Sequence, residues 1–235
     1  KDVVISTWQS LHRMPRPYFR QFGAVFGDEA HLFKAKSLTG IMTKLDTCKY
    51  RFGLTGTLDG TQTHRLVLEG LFGKAKYVVT TKELIDNKTL SNLKINCIVL
   101  KYPDEDRQIV KEFDYGTELE FIVTKKERNI FLRNLVGHCN GNTLCLFQFV
   151  EKHGEPLYNI INDKYKDRKV FFVYGGVSTD TREEIREIVE NETDAIIVAS
   201  YGTFSTGINI RNIDNIVFAS PSKSKIRVLQ SLGRG

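Results

Sequence analysis

Gly23-Ala24-Val25-Phe26-Gly27-Asp28-Glu29-Ala30-His31 decides how this chain is read. Its apolar first half predicts a short buried strand, which leaves Asp28, Glu29 and His31 at the strand's C-terminal end. Open α/β sheets place their ligands there. Two adjacent carboxylates at such a point can divide labour: Asp28 holds a Mg²⁺ ion through its water shell while Glu29 polarises an attacking water. That is the chemistry of nucleotide hydrolysis. A solvated acidic turn is the plainer alternative, and the tetrapeptide alone does not separate the two.

Working outward, strand-like apolar runs alternate with helical segments, the pattern of a mostly parallel α/β sheet. Before the polar stretch Asp86 to Asn92 the runs are Val3-Val4-Ile5, Ala24-Val25-Phe26 and Arg51-Phe52-Gly53-Leu54. After it they are Ile95 to Leu100, Leu144 to Phe147, Val170 to Val173, Ala195 to Ala199 and Ile216 to Ala219. Most are apolar at every position, which predicts strands covered by helices on both faces. Thr124 and Glu127 read as a capping box opening a helix with Ile130, Phe131 and Leu135. Ile185, Ile188 and Val189 give the stripe of another helix, starting near Thr179 or Asp180. The polar stretch predicts a linker and two domains, 1–90 and 91–235.

The chain has 235 residues, enough for one large or two modest domains. No apolar stretch approaches the roughly 20 residues that cross a bilayer, and no charged-then-apolar leader opens it. With four dispersed cysteines and no C-x-x-C pair, a reducing cytoplasm is expected, that of a host cell if the chain is phage-encoded. His138, Cys139, Cys145 and His153 match no zinc spacing, so no structural metal is expected there. The net charge of +6 suits a polyanionic partner. Its basic residues lie in small groups: Lys74 and Lys76; Lys125, Lys126 and Arg128; Lys164, Lys166, Arg168 and Lys169; Lys223, Lys225 and Arg227. Solvated helix faces would give a similar count.

Four motifs then occur in order: Asp28-Glu29-Ala30-His31, Leu54-Thr55-Gly56-Thr57, Phe204-Ser205-Thr206-Gly207-Ile208-Asn209 and Gln230-Ser231-Leu232-Gly233-Arg234. Their order and spacing resemble the motifs of the superfamily-two helicases with a DEAH-type box. The likeness covers nearly the whole chain and is strongest to the phage recombination and repair members. The resemblance implies two RecA-like α/β domains, Mg²⁺-ATP between them and DNA as partner. The substrates implied are branched: forks, Holliday junctions, displacement loops and R-loops, the last bringing in RNA–DNA hybrids. It implies no membrane partner.

The resemblance also assigns roles. Glu29 and Asp28 would be catalytic, with Asp28 the Mg²⁺ residue, joined by Gln230 and by Arg234 as an arginine finger. His31, Thr55, Gly56 and Thr57 would couple nucleotide to nucleic acid, and Gly207, Asn209 and Gly233 would line the nucleotide. Thr7, Gln9, Gly175, Ser178, Arg182, Ser200 and Thr203 would meet the nucleic-acid backbone. Local readings stand beside these: a helix N-cap at Ser6 or Thr7, a plain turn at Thr55-Gly56-Thr57, a strand-turn-helix at Tyr174-Gly175-Gly176, a structural His31 and an exposed helix-end Arg234. The G-x-x-x-x-G-K-[ST] phosphate loop is missing, since Gly70-Leu71-Phe72-Gly73-Lys74-Ala75 fails both spacing and final residue. The missing loop and a terminal motif cut at Gly235 predict an internal piece of a longer protein, its first domain truncated, which alone does not turn over ATP. Two other functions fit parts of the pattern: a nucleic-acid-binding module without hydrolysis, and a Mg²⁺-dependent nuclease using Asp28, Glu29 and His31. The nuclease leaves Thr55-Gly56-Thr57 and Gln230 to Arg234 unexplained.

Overall fold

Among the described residues every strand pairing is parallel, and helices alternate with strands along the chain. The computed structural model describes residues 3–33, 35–56, 58, 62–87, 94–203, 210 and 212–223. They fall into two units, Lys1–Val99 and Leu100–Gly235.

The first unit runs α1 (Trp8–Leu11), α2 (Arg16–Phe19), β1 (Ala24–Gly27), α3 (Lys36–Lys44), β2 (Tyr50–Gly53), α4 (Gln62–Phe72) and α5 (Thr81–Asp86). Leu38, Ile41 and Met42 form the i, i+3, i+4 stripe of α3, buried with Phe19, Phe33, Leu45, Cys48 and Leu68. Each such side chain contributes about 1.5–3 kcal/mol by leaving water. A nine-residue helix is marginal alone, so this stripe is what keeps α3 folded. β1 and β2 pair from Ala24 with Tyr50 to Gly27 with Gly53. The terminal glycine pair is dictated by packing. A Cβ on Gly27 would stand 2.9 Å from Phe33 Cζ and 3.0 Å from Phe72 Cζ, and one on Gly53 would stand 2.9 Å from Phe72 Cδ2. Phe72 thereby seats α4 against the strand ends that carry the acidic box.

The second unit runs α6 (Asp104–Val110), α7 (Tyr115–Thr124), α8 (Lys126–His138), β3 (Thr143–Phe147), a π-helical turn (Val150–Gly154), α9 (Glu155–Lys164), β4 (Val170–Val173), α10 (Thr179–Glu190), β5 (Ile196–Ser200) and β6 (Asn215–Phe218). Its sheet has the order β4-β5-β3-β6. Period-two alternation sends Leu144, Leu146, Ile197 and Ala199 to one face, packed with Val189 of α10. Cys145, Phe147, Ile196 and Val198 go to the other, against Leu132 and Val136 of α8 and Leu157 and Ile161 of α9. Both faces of β3 and β5 are covered, which is why these runs are apolar throughout. Asn142 anchors the sheet's N-terminal edge: its Nδ2 lies within 3.2 Å of the carbonyls of Val189, Glu192 and Asn212, and its Oδ1 accepts from Ala195 N–H at 2.8 Å.

Several expectations need correction. Val3-Val4-Ile5 and Ile95 to Leu100 have no regular secondary structure and are not strands. An apolar run becomes a strand only where a neighbouring backbone supplies a ladder, and no described residue pairs with either run. In the first unit Phe26 and Phe52 stack at 4.8 Å on a sheet face where they are 67% and 45% exposed, so β1 and β2 are not covered on both faces. Thr124 opens no helix; it ends α7, and its hydroxyl donates back to Glu120 O at 2.8 Å. α8 carries Ile130, Phe131 and Leu135 as expected, half-buried, and buries Asn129, Leu132 and Val136. α10 starts at Thr179 as expected, with Ser178 Oγ accepting from Thr181 N–H at 3.1 Å. No helix among the described residues is long and apolar enough to cross a membrane.

Candidate functional site

The ladder between β1 and β2 continues past both strands into the acidic box. Leu54 N–H donates to Gly27 O at 2.9 Å and Ala30 N–H to Leu54 O at 2.8 Å. Between them the chain turns sharply at Glu29, whose φ of 47° and ψ of 49° are left-handed. It is the one non-glycine residue with positive φ among those described. That conformation costs roughly 1–2 kcal/mol for an L-residue. Two contacts hold it: Asp28 Oδ1 accepts from Glu29 N–H at 2.9 Å, and Leu32 N–H donates to Glu29 O at 2.9 Å. The turn runs into a 3-10 helix, Ala30–Leu32, and sets His31 beside Glu29.

The His31 ring is buried, and its Nδ1 lies 3.2 Å from Glu29 Oε2 and 3.0 Å from Thr55 Oγ1. A carboxylate only accepts, so this geometry suits a proton on Nδ1 shared between the two oxygens. Thr55 follows β2 directly, so the contact joins the ends of neighbouring parallel strands. From α4, His64 Nε2 lies 2.8 Å from His31 O and donates to it. Sequence reading missed His64. Its signal is a histidine four residues before Leu68 and seven before Leu71, on the face of α4 that packs inward.

The donors present fit part of a Mg²⁺-nucleotide site. Asp28 is an exposed carboxylate with one oxygen engaged by Glu29 N–H. Such a hard, water-accessible oxygen suits an ion that keeps most of its water shell. Among the described residues no three His, Cys, Asp or Glu converge on a metal-sized site. Gly56 is open, a Cβ there meeting nothing within 4 Å. Thr57, Gly207, Asn209, Gln230, Gly233 and Arg234 lie outside the described residues, as does the linker core 88–93.

The remaining candidates are dispersed. Thr7 is the N-cap of α1, but its hydroxyl meets Ser10 Oγ at 3.3 Å rather than a backbone N–H. Thr7 and Gln9 are both exposed, at the start of a helix and not at a strand end. Gly175 and Ser178 are exposed in the turn after β4, where Arg182 Nε donates to Ser178 O at 3.4 Å. At the end of β5, Ser200 Oγ and Thr203 Oγ1 are 2.8 Å apart, with Thr203 buried. Some of the basic side chains form ion pairs within the chain. Lys166 meets Asp163, Arg168 meets Asp194, Lys169 meets Glu192 and Lys125 meets Asp106. Lys223 sits 3.5 Å over the Tyr115 ring.

A buried polar cluster closes the C-terminal ends of β3 and β6. His153, in the π-helical turn, has Nδ1 2.9 Å from Ser220 Oγ and Nε2 3.2 Å from Asn129 Oδ1. Asn129 Nδ2 donates to Val123 O at 2.9 Å, which turns its Oδ1 toward the ring; Nε2 therefore carries the proton and Nδ1 accepts. Burial, and secondarily the nearby Arg128 guanidinium, push His153 down to about 4. It is a neutral structural histidine. Burial raises the Cys145 thiol to about 12, so that group is inert as well.

Comparisons with known proteins agree with this architecture. The helicase conserved C-terminal domain matches residues 127–235. ATP-dependent DNA helicase uvsW of Enterobacteria phage T4 is 38% identical over 99% of this chain, which spans 46% of that protein. The Saccharomyces cerevisiae relative IRC3, named as a candidate ATP-dependent helicase, is 24% identical over all of this chain, which spans 35% of it. The crystal structure of T4 UvsW aligns over 97% of this chain and 44% of its own, with 37% identity and a TM-score of 0.54. The chain thus spans less than half the length of these relatives. Residues 127–235 belong to the helicase conserved C-terminal domain family, and the chain along nearly its whole length is similar to ATP-dependent DNA helicase uvsW of Enterobacteria phage T4.

Proposed function

We propose that the chain belongs to an ATP-dependent DNA helicase or translocase acting on branched DNA, namely forks, Holliday junctions, displacement loops and R-loops, in recombination, repair and replication in the cytoplasm. Residues 1–90 contribute to a first RecA-like domain and residues 91–235 to a second. One observation carries the reading: Glu29 Oε2, His31 Nδ1 and Thr55 Oγ1 form a continuous polar chain at the C-terminal ends of two parallel strands.

Bound Mg²⁺ would neutralise charge at the phosphates. Asp28 would hold its water shell. Glu29 accepts the proton of the attacking water, and its carboxylate is oriented by His31. Thr55 ties that histidine to the end of β2, so a shift at Thr55 reaches the base through one imidazole; Gly56 and Thr57 would share this coupling, as the family resemblance implies. By the same resemblance, Gly207, Asn209 and Gly233 would line the nucleotide, and Gln230 and Arg234 would act at its terminal phosphate. Thr7, Gln9, Gly175, Ser178, Arg182, Ser200 and Thr203 grip the nucleic-acid backbone. The 235 residues contain no phosphate loop, so the chain alone is expected to bind nucleic acid without turning over ATP.

The test is ATP hydrolysis by the full-length protein with and without forked DNA, beside Glu29→Gln. DNA-stimulated turnover that falls at least about a hundredfold in the variant supports the reading, as loss of a general base implies. DNA binding without hydrolysis by the wild type would replace the motor with a binding module. Mg²⁺-dependent cleavage without ATP would point to a nuclease.

A further inference from the structure

We infer that His64 is a positioning residue of this same site, acting through His31; the inference rests on the proposed hydrolytic reading. Two side chains grip His31 from different elements. Thr55, at the end of β2, holds the ring at Nδ1, 3.0 Å away. His64, near the start of α4, holds the backbone carbonyl at 2.8 Å. Ring and carbonyl are the two points that set where an imidazole lies and how it is rotated. Held at both, Nδ1 stays 3.2 Å from Glu29 Oε2.

The setting makes this grip more than filling. His64 is buried at 5% exposure, on a helix face otherwise lined by Leu68 and Leu71. A leucine would fill that place and bury more apolar surface. The imidazole instead delivers its Nε2–H to the His31 carbonyl, in the short 3-10 turn that carries His31. That turn leaves a left-handed Glu29, so its backbone is under load, and a second anchor opposes relaxation of the box. The helix bearing the anchor is itself fixed to the strand ends by Phe72 on Gly27 and Gly53.

In the full-length protein, His64→Leu removes the donor and keeps the bulk, while His64→Gln keeps an amide N–H at similar reach. With saturating forked DNA, His64→Leu is expected to lower kcat for ATP hydrolysis about tenfold, the scale of one hydrogen bond. KM for ATP should stay within about twofold, because the lost contact orients the base and does not bind substrate. His64→Gln should recover most of the rate. If the leucine variant does not fold, His64→Met serves as the donor-free variant of similar volume. Equal impairment of the donor-free and glutamine variants overturns the proposal in favour of packing alone. Wild-type rates in the donor-free variant overturn it outright. A wild type without DNA-stimulated hydrolysis instead removes the functional reading beneath it, so the two failures are told apart.

Discussion

His31 Nδ1 lies 3.0 Å from Thr55 Oγ1, joining two residues 24 apart in sequence through the ends of adjacent parallel strands. The contact depends on register. Gly27 pairs with Gly53, so the residues that follow each strand emerge side by side. A slip of one position would send Thr55 to the other face.

This contact makes Thr55 a sensitive position. Thr55→Val keeps the shape and removes the hydroxyl, leaving Nδ1 beside Glu29 Oε2 but without its threonine partner. DNA-stimulated ATP hydrolysis by the full-length protein should fall about tenfold, the scale of one lost hydrogen bond. Thr55→Ser should retain most of it. A valine variant that hydrolyses ATP as fast as wild type would separate Thr55 from the reaction.

Left-handed backbone at Glu29 predicts an order of stability between two inactive variants. Glu29→Asn and Glu29→Ala both delete the carboxylate that faces His31, but asparagine tolerates positive φ better than alanine. Asn should therefore be the more stable by about 0.5–1 kcal/mol, read from urea midpoints at equal m-values. The reverse order would mean that φ at residue 29 is not positive in solution.

His153 predicts how stability depends on pH. Its folded-state value of about 4 lies below the ordinary 6.5, so between these values the unfolded chain binds a proton that the folded one refuses. Stability is full above about pH 6.5, declines toward pH 4 and levels off below, by about 3 kcal/mol in all. Groups facing the ring include the Arg128 cation, Asn129 and Ser220. Urea unfolding between pH 4 and 7 measures this, and His153→Gln should flatten the slope over that window. An unchanged slope would assign it to other groups.

Thiol labelling tests the conformation of residues 95–100. Cys97 is exposed, whereas Cys48 and Cys145 are buried. A maleimide should modify Cys97 in the native state and reach Cys48 and Cys145 only with denaturant. Protection of Cys97 would restore the buried strand that its neighbours Ile95, Ile98 and Val99 suggest.

Legibility in the sequence followed the range of the interactions involved. Uniformly apolar runs such as Leu144 to Phe147 announce strands buried on both faces, because the pattern is local and burial is their main stabilisation. The helix start near Thr179 and the stripe through Val189 were readable on the same ground, and so was the motif order that marks a helicase. Apolar character alone misled at Val3-Val4-Ile5 and at 95–100, where no described residue supplies a ladder. The capping-box pattern misled at Thr124, where a hydroxyl could serve either of two helices.

The sequence by itself therefore determined an α/β chain of parallel strands with Asp28 and Glu29 at a strand end and Thr55 at another. Tertiary structure alone decided that Glu29 turns left-handed, that His31 stands between Glu29 and Thr55, and that His64 reaches in from α4. These are contacts between segments distant in sequence. Register and the close approach permitted by Gly27 and Gly53 set them, and no local pattern encodes either. Tertiary structure also made His153 and Cys145 neutral, buried groups, because desolvation depends on what packs around a side chain and not on its neighbours in sequence.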